Sequence, residues 1–444
     1  MLRIEDLTLA IECAEPYVFD FKIFFTMSRL DLVIFGATGF TGKHAVMECA
    51  RIAKKNPSLT WGIAGRSQSK LDALLEEASK ETGVDLSAIP VMLADVGDED
   101  SLRAMCQRAK VLVNCCGPYR LYGEPVVSAA VRCGAHYVDV SGEPQFLESM
   151  QLRYDSAARD AGVFVICACG FDSIPNDMGV VFLQQNFDGT LNSVESYLST
   201  ELPPQYQAAA RRGGVINYGT WASLVYGLAN YHELKTLRKQ LFPDRLPALK
   251  PKLEKKRCVH FRDGRWCVPF PGSDASVVFR TQRRSRARPV QFRAYLRLPG
   301  AWAAPLVWFC ALALYLLARC GPGRRWLLSR PRLCSLGLVG RGGLERPVTE
   351  NTRFGFALHG AGWPQGVDPD SELPTKTLTA KVSGSNPGYG ATVVALLHSA
   401  LTILDERDKM PERGGVVTTG FAFGNTGLVR RLNENGLRFE IVEE

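Results

Sequence analysis

Metal-ligand spacing is missing from this chain. Its 13 cysteines include no C-x-x-C pair, and its six histidines stand at no ligand spacing, which argues against a zinc site. The thiols are scattered, with Cys115 and Cys116 adjacent and Cys167 and Cys169 in an apolar run. That usage fits reduced cysteines packed as small hydrophobes in a cytosolic protein. A basic secretory leader is also missing: residues 1–26 carry Glu5, Asp6, Glu12, Glu15 and Asp20 and read as an appendage ahead of Met27. No internal repeat, low-complexity tract or nucleic-acid motif occurs, so the net charge of +8 does not point to nucleic acid. Its arginines crowd between Arg280 and Arg332 around an apolar segment, which favours an anionic lipid surface. With 444 residues, 46% hydrophobic and 22% charged, the chain has room for two or three packed domains and little disorder.

What is present first is a glycine corner. Leu30–Phe35 reads as a strand, Gly36-Ala37-Thr38-Gly39-Phe40-Thr41-Gly42 as a turn, and Lys43 to Lys55 as a helix. A parallel strand delivers its carboxyl end to such a turn, and the helix offers unpaired N–H groups and a positive dipole end to a phosphate. Glycine permits positive φ and close approach of backbone to a pyrophosphate. The G-x-x-G-x-x-G spacing by itself also fits a merely tight βα turn. The second strand, Leu59–Ala64, ends in Gly65-Arg66-Ser67, where an NAD site usually carries an acid bonded to the ribose 2′-hydroxyl. A guanidinium there pairs with a 2′-phosphate, so these residues favour NADP(H) over NAD(H). The plainer alternative makes Arg66 a solvated residue and Ser67 an N-cap.

Alternating strand and helix patterns to about residue 170 predict an α/β fold, a doubly wound parallel Rossmann sheet. Later short strands, beginning with Glu195–Thr200, predict a second α+β domain of mixed sheet, and Pro and Arg from 242 to 290 predict loops or an irregular edge. The expected division is an appendage over 1–26, a nucleotide domain over 27–185, the first part of the α+β domain over 186–297, an apolar lipid-associating segment over 298–340, and over 341–444 the completion of the α+β domain with a return to the nucleotide domain. Leu298–Ala318 is a run of 21 uncharged residues, about 31 Å if wholly helical. Pro299 and Pro305 are expected to break its front, leaving too little to span a bilayer comfortably. Monotopic insertion or a hairpin, a single span, and a buried helix all stay open; one-sided insertion suits a membrane face or a lipid-droplet monolayer.

Three further loops follow strand ends: Asn114-Cys115-Cys116-Gly117-Pro118-Tyr119, Asp139-Val140-Ser141-Gly142-Glu143-Pro144, and Gly170-Phe171-Asp172-Ser173-Ile174-Pro175. In such a sheet they converge on one rim, beside the nicotinamide side of the crevice. Together with GATGFTG at 36–42, AGRS at 64–67, NCCGPYRLYGEP at 114–125, GFDSIPND at 170–177 and GGVVTTG at 414–420, the chain resembles the saccharopine dehydrogenase-like oxidoreductases from Met27 onward. The resemblance implies an NADP-type Rossmann domain with an inserted α+β domain, an oxidoreductase activity and association with lipid droplets or membranes. The family is also similar to trans-acting enoyl reductases. Carried over by position, Gly36, Gly39 and Gly42 wrap the pyrophosphate and Thr38, Phe40 and Thr41 supply N–H groups. Arg66, with Ser67, takes the 2′-phosphate, Asp95 meets the adenine amino group or serves as a helix cap, and Cys116, Gly117 and Pro118 lie along the nicotinamide ribose.

Hydride chemistry asks the protein to orient the reactants and to supply a proton. Tyr119, Glu124 and Glu143 are the leading proton-donor candidates, with Tyr122 and Asp172 behind them; loop fixing is the commoner use of such groups. The Y-x-x-x-K pattern at Tyr231–Lys235 falls outside the nucleotide domain and reads as coincidence. No set of basic residues for a dicarboxylate amino acid stands out, which favours an apolar substrate presented from a membrane. Expected partners are therefore a lipid surface and a small-molecule or lipid substrate, and a homodimer is compatible with this reading. A catalytically silent nucleotide-binding protein of the lipid surface, and a true saccharopine dehydrogenase, are the alternatives.

Overall fold

Apolar runs closed by glycine turns make the first half of the chain a series of βα units in the computed structural model, which describes residues 28–171, 173–244, 249–285, 287–340 and 344–442. The appendage over 1–26 and Asp172 lie outside the described residues. The units run β1 (Leu30–Phe35), α1 (Phe40–Lys55), β2 (Trp61–Gly65), α2 (Gln68–Thr82), β3 (Val91–Leu93) and α3 (Glu99–Gln107). They continue through β4 (Ala109–Asn114), α4 (Tyr119–Arg132), β5 (His136–Asp139), α5 (Pro144–Asp160), β6 (Phe164–Ile166) and α6 (Ile174–Asn186). Every residue of β2 and all but one of β4 are buried, as expected of parallel strands covered on both faces.

The chain then builds β7 (Gly189–Glu201), α7 (Gln207–Gly213), α8 (Tyr218–Ala229), α9 (Glu233–Leu241), β8 (His260–Arg262), β9 (Arg265–Pro269), α10 (Asp274–Arg284) and β10 (Gln291–Arg297). The apolar region follows as α11 (Ala303–Arg319), α12 (Gly321–Ser329) and the short α13 (Pro331–Cys334). The tail contains α14 (Arg346–Asn351), β11 (Arg353–Pro364), β12 (Lys376–Ser385), α15 (Thr392–Asp405), β13 (Gly415–Val417), α16 (Thr419–Phe423), α17 (Leu428–Glu434) and β14 (Arg438–Val442).

Two seven-stranded sheets result. The first has the order β13-β6-β5-β4-β1-β2-β3, parallel throughout, and the second the mixed order β14-β12-β11-β7-β10-β9-β8. In the first sheet Phe35 pairs with Ala64 on one side and Asn114 on the other. The chain order reverses between β1 and β4, which opens a crevice at their carboxyl ends. Its last strand, β13, comes from the far end of the sequence, and α15 packs beside α1 on the same sheet. α6 leads from the first sheet to the second and is buried between them, with Leu358 and Val382 pressed against Gly179.

Two expectations need correction. The stretch 242–290 is not all loop, since α10 forms there and buries Val277, Val278 and Thr281. Asp274 in its first turn and Arg283 and Arg284 in its last suit the helix dipole, so basic composition hid a regular helix. Nor does Pro305 break α11, which starts at Ala303 and places the proline in the first turn, where its missing N–H costs no helix bond.

α11 and α12 bend away from each other by 119°. α11 alone is about 26 Å long at 1.5 Å per residue, below the hydrocarbon thickness of a bilayer. Its inner side packs Leu314, Leu317 and Ala318 against Trp221 and Val225 of α8 and Leu327 of α12. Its outer side presents Phe309 (71% exposed), Leu312 and Leu316, with Trp302, Trp308 and Trp326 close by in sequence. Among the described residues only Pro387–Asp405 is a single helix long and apolar enough to cross a membrane, and it is mostly buried in the core.

Candidate nucleotide site

The glycine corner takes its shape from backbone contacts alone. Gly36 adopts φ +74°, and a Cβ there would lie 3.0 Å from the Cys116 amide nitrogen of the neighbouring strand end. A Cβ on Gly42 would overlap the Gly36 carbonyl oxygen and stand 2.7 Å from that of Ala37, so α1 can approach β1 only with glycine in place. Gly39 is the N-cap of α1, with no side-chain cap and no acid in the first turn. The amides of Gly36 and Ala37 are engaged by the Ala64 carbonyl, and that of Gly39 by Gly36. The first N–H groups of the helix, from Phe40 onward, have no intrahelical acceptor and point out of the corner. This cradle fits a pyrophosphate, because it offers amide donors and a positive dipole end, and Gly36, Gly39 and Gly42 themselves bring no side chain to it.

The second corner holds the basic group. Arg66 is 76% exposed at the end of β2, and its Nε lies 3.9 Å from a carboxylate oxygen of Asp95, beyond the end of β3. Asp95 turns its other oxygen to the Gly97 amide at 2.9 Å. Asp98, not Asp95, caps α3, accepting from the amides of Asp100 and Ser101. Ser67 is the N-cap residue of α2, although its hydroxyl meets that of Ser69 at 3.2 Å and makes no cap bond. Burial pushes the Cys116 thiol up, and the Arg66 charge opposes that shift.

The third corner is rigid. Asn114 accepts from the Cys116 amide at 2.9 Å and donates to the Tyr137 hydroxyl at 2.9 Å, fixing the loop that carries Gly117 and Pro118. The Tyr119 hydroxyl points inward and donates to the Asn114 carbonyl at 2.9 Å. Glu143 is buried and accepts from the Tyr119 and Arg120 amides, both at 3.1 Å, and from the Ser223 hydroxyl at 2.8 Å. Its carboxylate thereby caps α4, whose own N-cap is Pro118 and has no acceptor to offer. Burial raises the pKa of Glu143 while the three donors pull it back. Glu124 looks elsewhere, paired with Arg153 of α5 at 2.6 Å and beside a cavity of about 510 Å³ that is also lined by Arg120, Gln145, His232 and Glu233. Tyr119 and Glu143 therefore share one clamp, and Glu124 does not join it. Tyr122 stays exposed on the first turn of α4.

Other groups at this site escape a reading by spacing. Tyr389 comes from the turn Pro387–Ala391 and packs its ring 4.1 Å from Phe40 and 4.9 Å from His44, walling the start of α1. Its hydroxyl meets the side chain of Asn217, the N-cap of α8. The Asn386-Pro387-Gly388-Tyr389-Gly390 cluster is a turn signal, and nothing in it names the partner helix. Among the described residues no group of three or more metal-ligating side chains occurs.

Comparison with known proteins agrees with this geometry. Residues 32–166 match the model for the saccharopine dehydrogenase NADP binding domain. A human saccharopine dehydrogenase-like oxidoreductase is 37% identical over 422 residues, covering 93% of this chain and 97% of the human protein. The chain belongs to the saccharopine dehydrogenase-like oxidoreductase family. A Caenorhabditis elegans relative, named a lipid droplet localized protein, is 36% identical over 94% of this chain and 99% of its own. The fold is that of yeast saccharopine dehydrogenase (L-Glu forming), at a TM-score of 0.50 and 15% identity over 93% of this chain and 99% of the yeast chain. As in the family, the first sheet is an NADP-binding domain.

Proposed function

We propose that this family member is an NADPH-dependent reductase working at a membrane face or lipid-droplet monolayer, on a C=C, C=O or C=N group of a lipid-like substrate. The observation that carries the reading is the coincidence of two features: a nucleotide crevice with Arg66 at its second corner, and an outward apolar helix joined to that crevice through α8. When bound, the reduced nicotinamide supplies the hydride. The Gly36–Gly42 corner and Tyr389 hold the diphosphate end, Arg66 selects the 2′-phosphate, and the Asn114-braced loop supports the nicotinamide ribose at Cys116, Gly117 and Pro118. Glu143 and Tyr119 position that loop. Tyr122, exposed three residues beyond the buried Tyr119, is the proton donor we assign. Phe309, Leu312 and Leu316 enter the acyl region of one leaflet, while Arg319, Arg324 and Arg325 meet its anionic headgroups.

The inward orientation of Tyr119 and Glu143 favours a second reading, a nucleotide-binding protein of the lipid surface without turnover. NADPH deuterated at the transferable position of C4, incubated with the full chain and a cellular lipid extract, separates the two. Deuterium in a lipid product supports the reductase. NADPH binding without deuterium in any lipid overturns it in favour of the silent protein.

A further inference from the structure

α8 packs against two other parts of the molecule and leaves a third face open. Ser223 points to Glu143 and the start of α4. About half a turn round the helix, the Trp221 indole donates to the Leu327 carbonyl at 3.0 Å, and Val225 packs with Ala318 and Leu327 of the apolar helices. Between these two faces, at helical spacings of four and three, lie Thr220, Leu224 and Gly227. Leu224 is 41% exposed and Tyr231, just past the helix, 61% exposed. A Cβ on Gly227 would meet nothing within 4 Å. The strip is thus open at Leu224 and over the Cα of Gly227, whose carbonyl accepts from Gln145 Nε2 at 2.9 Å, with the start of α4 on one flank and α11 and α12 on the other. Leu121, a further exposed apolar side chain, stands on the first turn of α4, three residues from Pro118.

We infer that Leu224 and Gly227 of α8, with Leu121 of α4, form a binding track for the hydrocarbon chain of a single-tailed or partly extracted lipid. The track runs from the apolar helices to the nicotinamide loop. Its occupant is argued from continuity: the strip joins an outward apolar surface to the rim where Cys116–Pro118 sit, and Gly227 keeps its middle low. A chain laid there leaves the lipid surface at α11 and ends with its polar or unsaturated part beside the cofactor loop. Chain length would then govern which bond reaches that loop. The inference rests on the lipid-reductase reading and adds the binding mode and specificity residues to it.

The test uses the full-length protein on phosphatidylcholine vesicles containing a palmitic acid analogue with a mid-chain diazirine, in the presence of NADPH. Illumination followed by peptide mapping is expected to label 220–231 and 118–125 as well as 303–338. Gly227→Trp, which fills the middle of the track, and Leu224→Asp, at an already exposed position, are each expected to cut the 220–231 label at least fivefold. NADPH affinity and vesicle flotation should stay within twofold. Label confined to 303–338, or label on α8 indifferent to both variants, overturns the track. Cofactor fluorescence on the same samples keeps the two ideas apart: NADPH binding with α8 unlabelled sinks the track alone, whereas a wild-type chain that binds no NADPH sinks the reductase.

Discussion

Replacing Arg66 by Ala should separate NADPH from NADH. The guanidinium would give a 2′-phosphate one or two charge-assisted hydrogen bonds, each worth about 1.5–3 kcal/mol when well formed. Arg66 is 76% exposed and has the Asp95 carboxylate 3.9 Å away, so solvent and a competing anion both weaken the contact. The low end is therefore the expectation, about 1.5–2 kcal/mol, or a loss of about 10- to 30-fold in NADPH affinity. NADH lacks the phosphate and should bind the variant as it binds the wild type. Asp95→Asn removes the competing charge while keeping a side-chain oxygen that can accept from the adenine amino group, and should tighten NADPH by about two- to fivefold, the scale of an exposed ion pair. Arg66→Lys keeps the charge without the planar fork and should fall between wild type and Ala. Titration of nicotinamide fluorescence at fixed ionic strength measures all of these, and added salt should narrow the NADPH differences. Equal losses for both nucleotides would mean that Arg66 supports the fold, and an unchanged NADPH constant would refute the phosphate role.

Glu143→Gln puts an amide NH2 among three donors and should destabilise the protein by about 1–3 kcal/mol in urea unfolding while weakening NADPH through the Pro118 loop; an unaltered midpoint would show that the clamp is dispensable. Phe309→Glu combined with Leu316→Glu alters side chains that are 71% and 59% exposed, so folding should persist while flotation with vesicles falls more than tenfold. Flotation equal to wild type would remove this face from the lipid contact. His398 is buried with neither ring nitrogen bonded, and burial pushes its pKa down to about 4. The unfolded imidazole takes up a proton below its ordinary value of 6.5 and the folded one does not, so this group withdraws stability as pH falls from about 6.5 to about 4. His398→Leu should therefore raise the melting temperature, and by more at pH 5 than at pH 7.5; a gain independent of pH would contradict the shift.

The first sheet was legible because parallel strands buried on both faces leave short uninterrupted apolar runs, as at Val111–Val113, and because Gly or Pro follows the strand ends. The glycine corner and Arg66 were legible for the same reason, since local spacing and strand ends carry that information. The second sheet was only partly visible: β10 reads Gln-Phe-Arg-Ala-Tyr-Leu-Arg, whose charged alternation resembles a solvated edge although it lies between β7 and β9. α10 was hidden by its arginines, one of which, Arg280, is buried against Gln151. The inward turn of Tyr119 and Glu143, the wall made by Tyr389 and the link through Ser223 depend on residues up to several hundred positions apart. Such pairings leave no periodic trace, so motif position could not reveal that Tyr119 and Glu143 brace the start of α4.

The edge position of β13 has a consequence for biogenesis. The dinucleotide sheet borrows its last strand from Gly415–Val417, so it cannot close on the ribosome when its first six strands have emerged. The apolar helices are synthesised before that strand. Until then β6 keeps a bare flank, and a product cut short after residue 340 would leave that edge of the sheet unpaired.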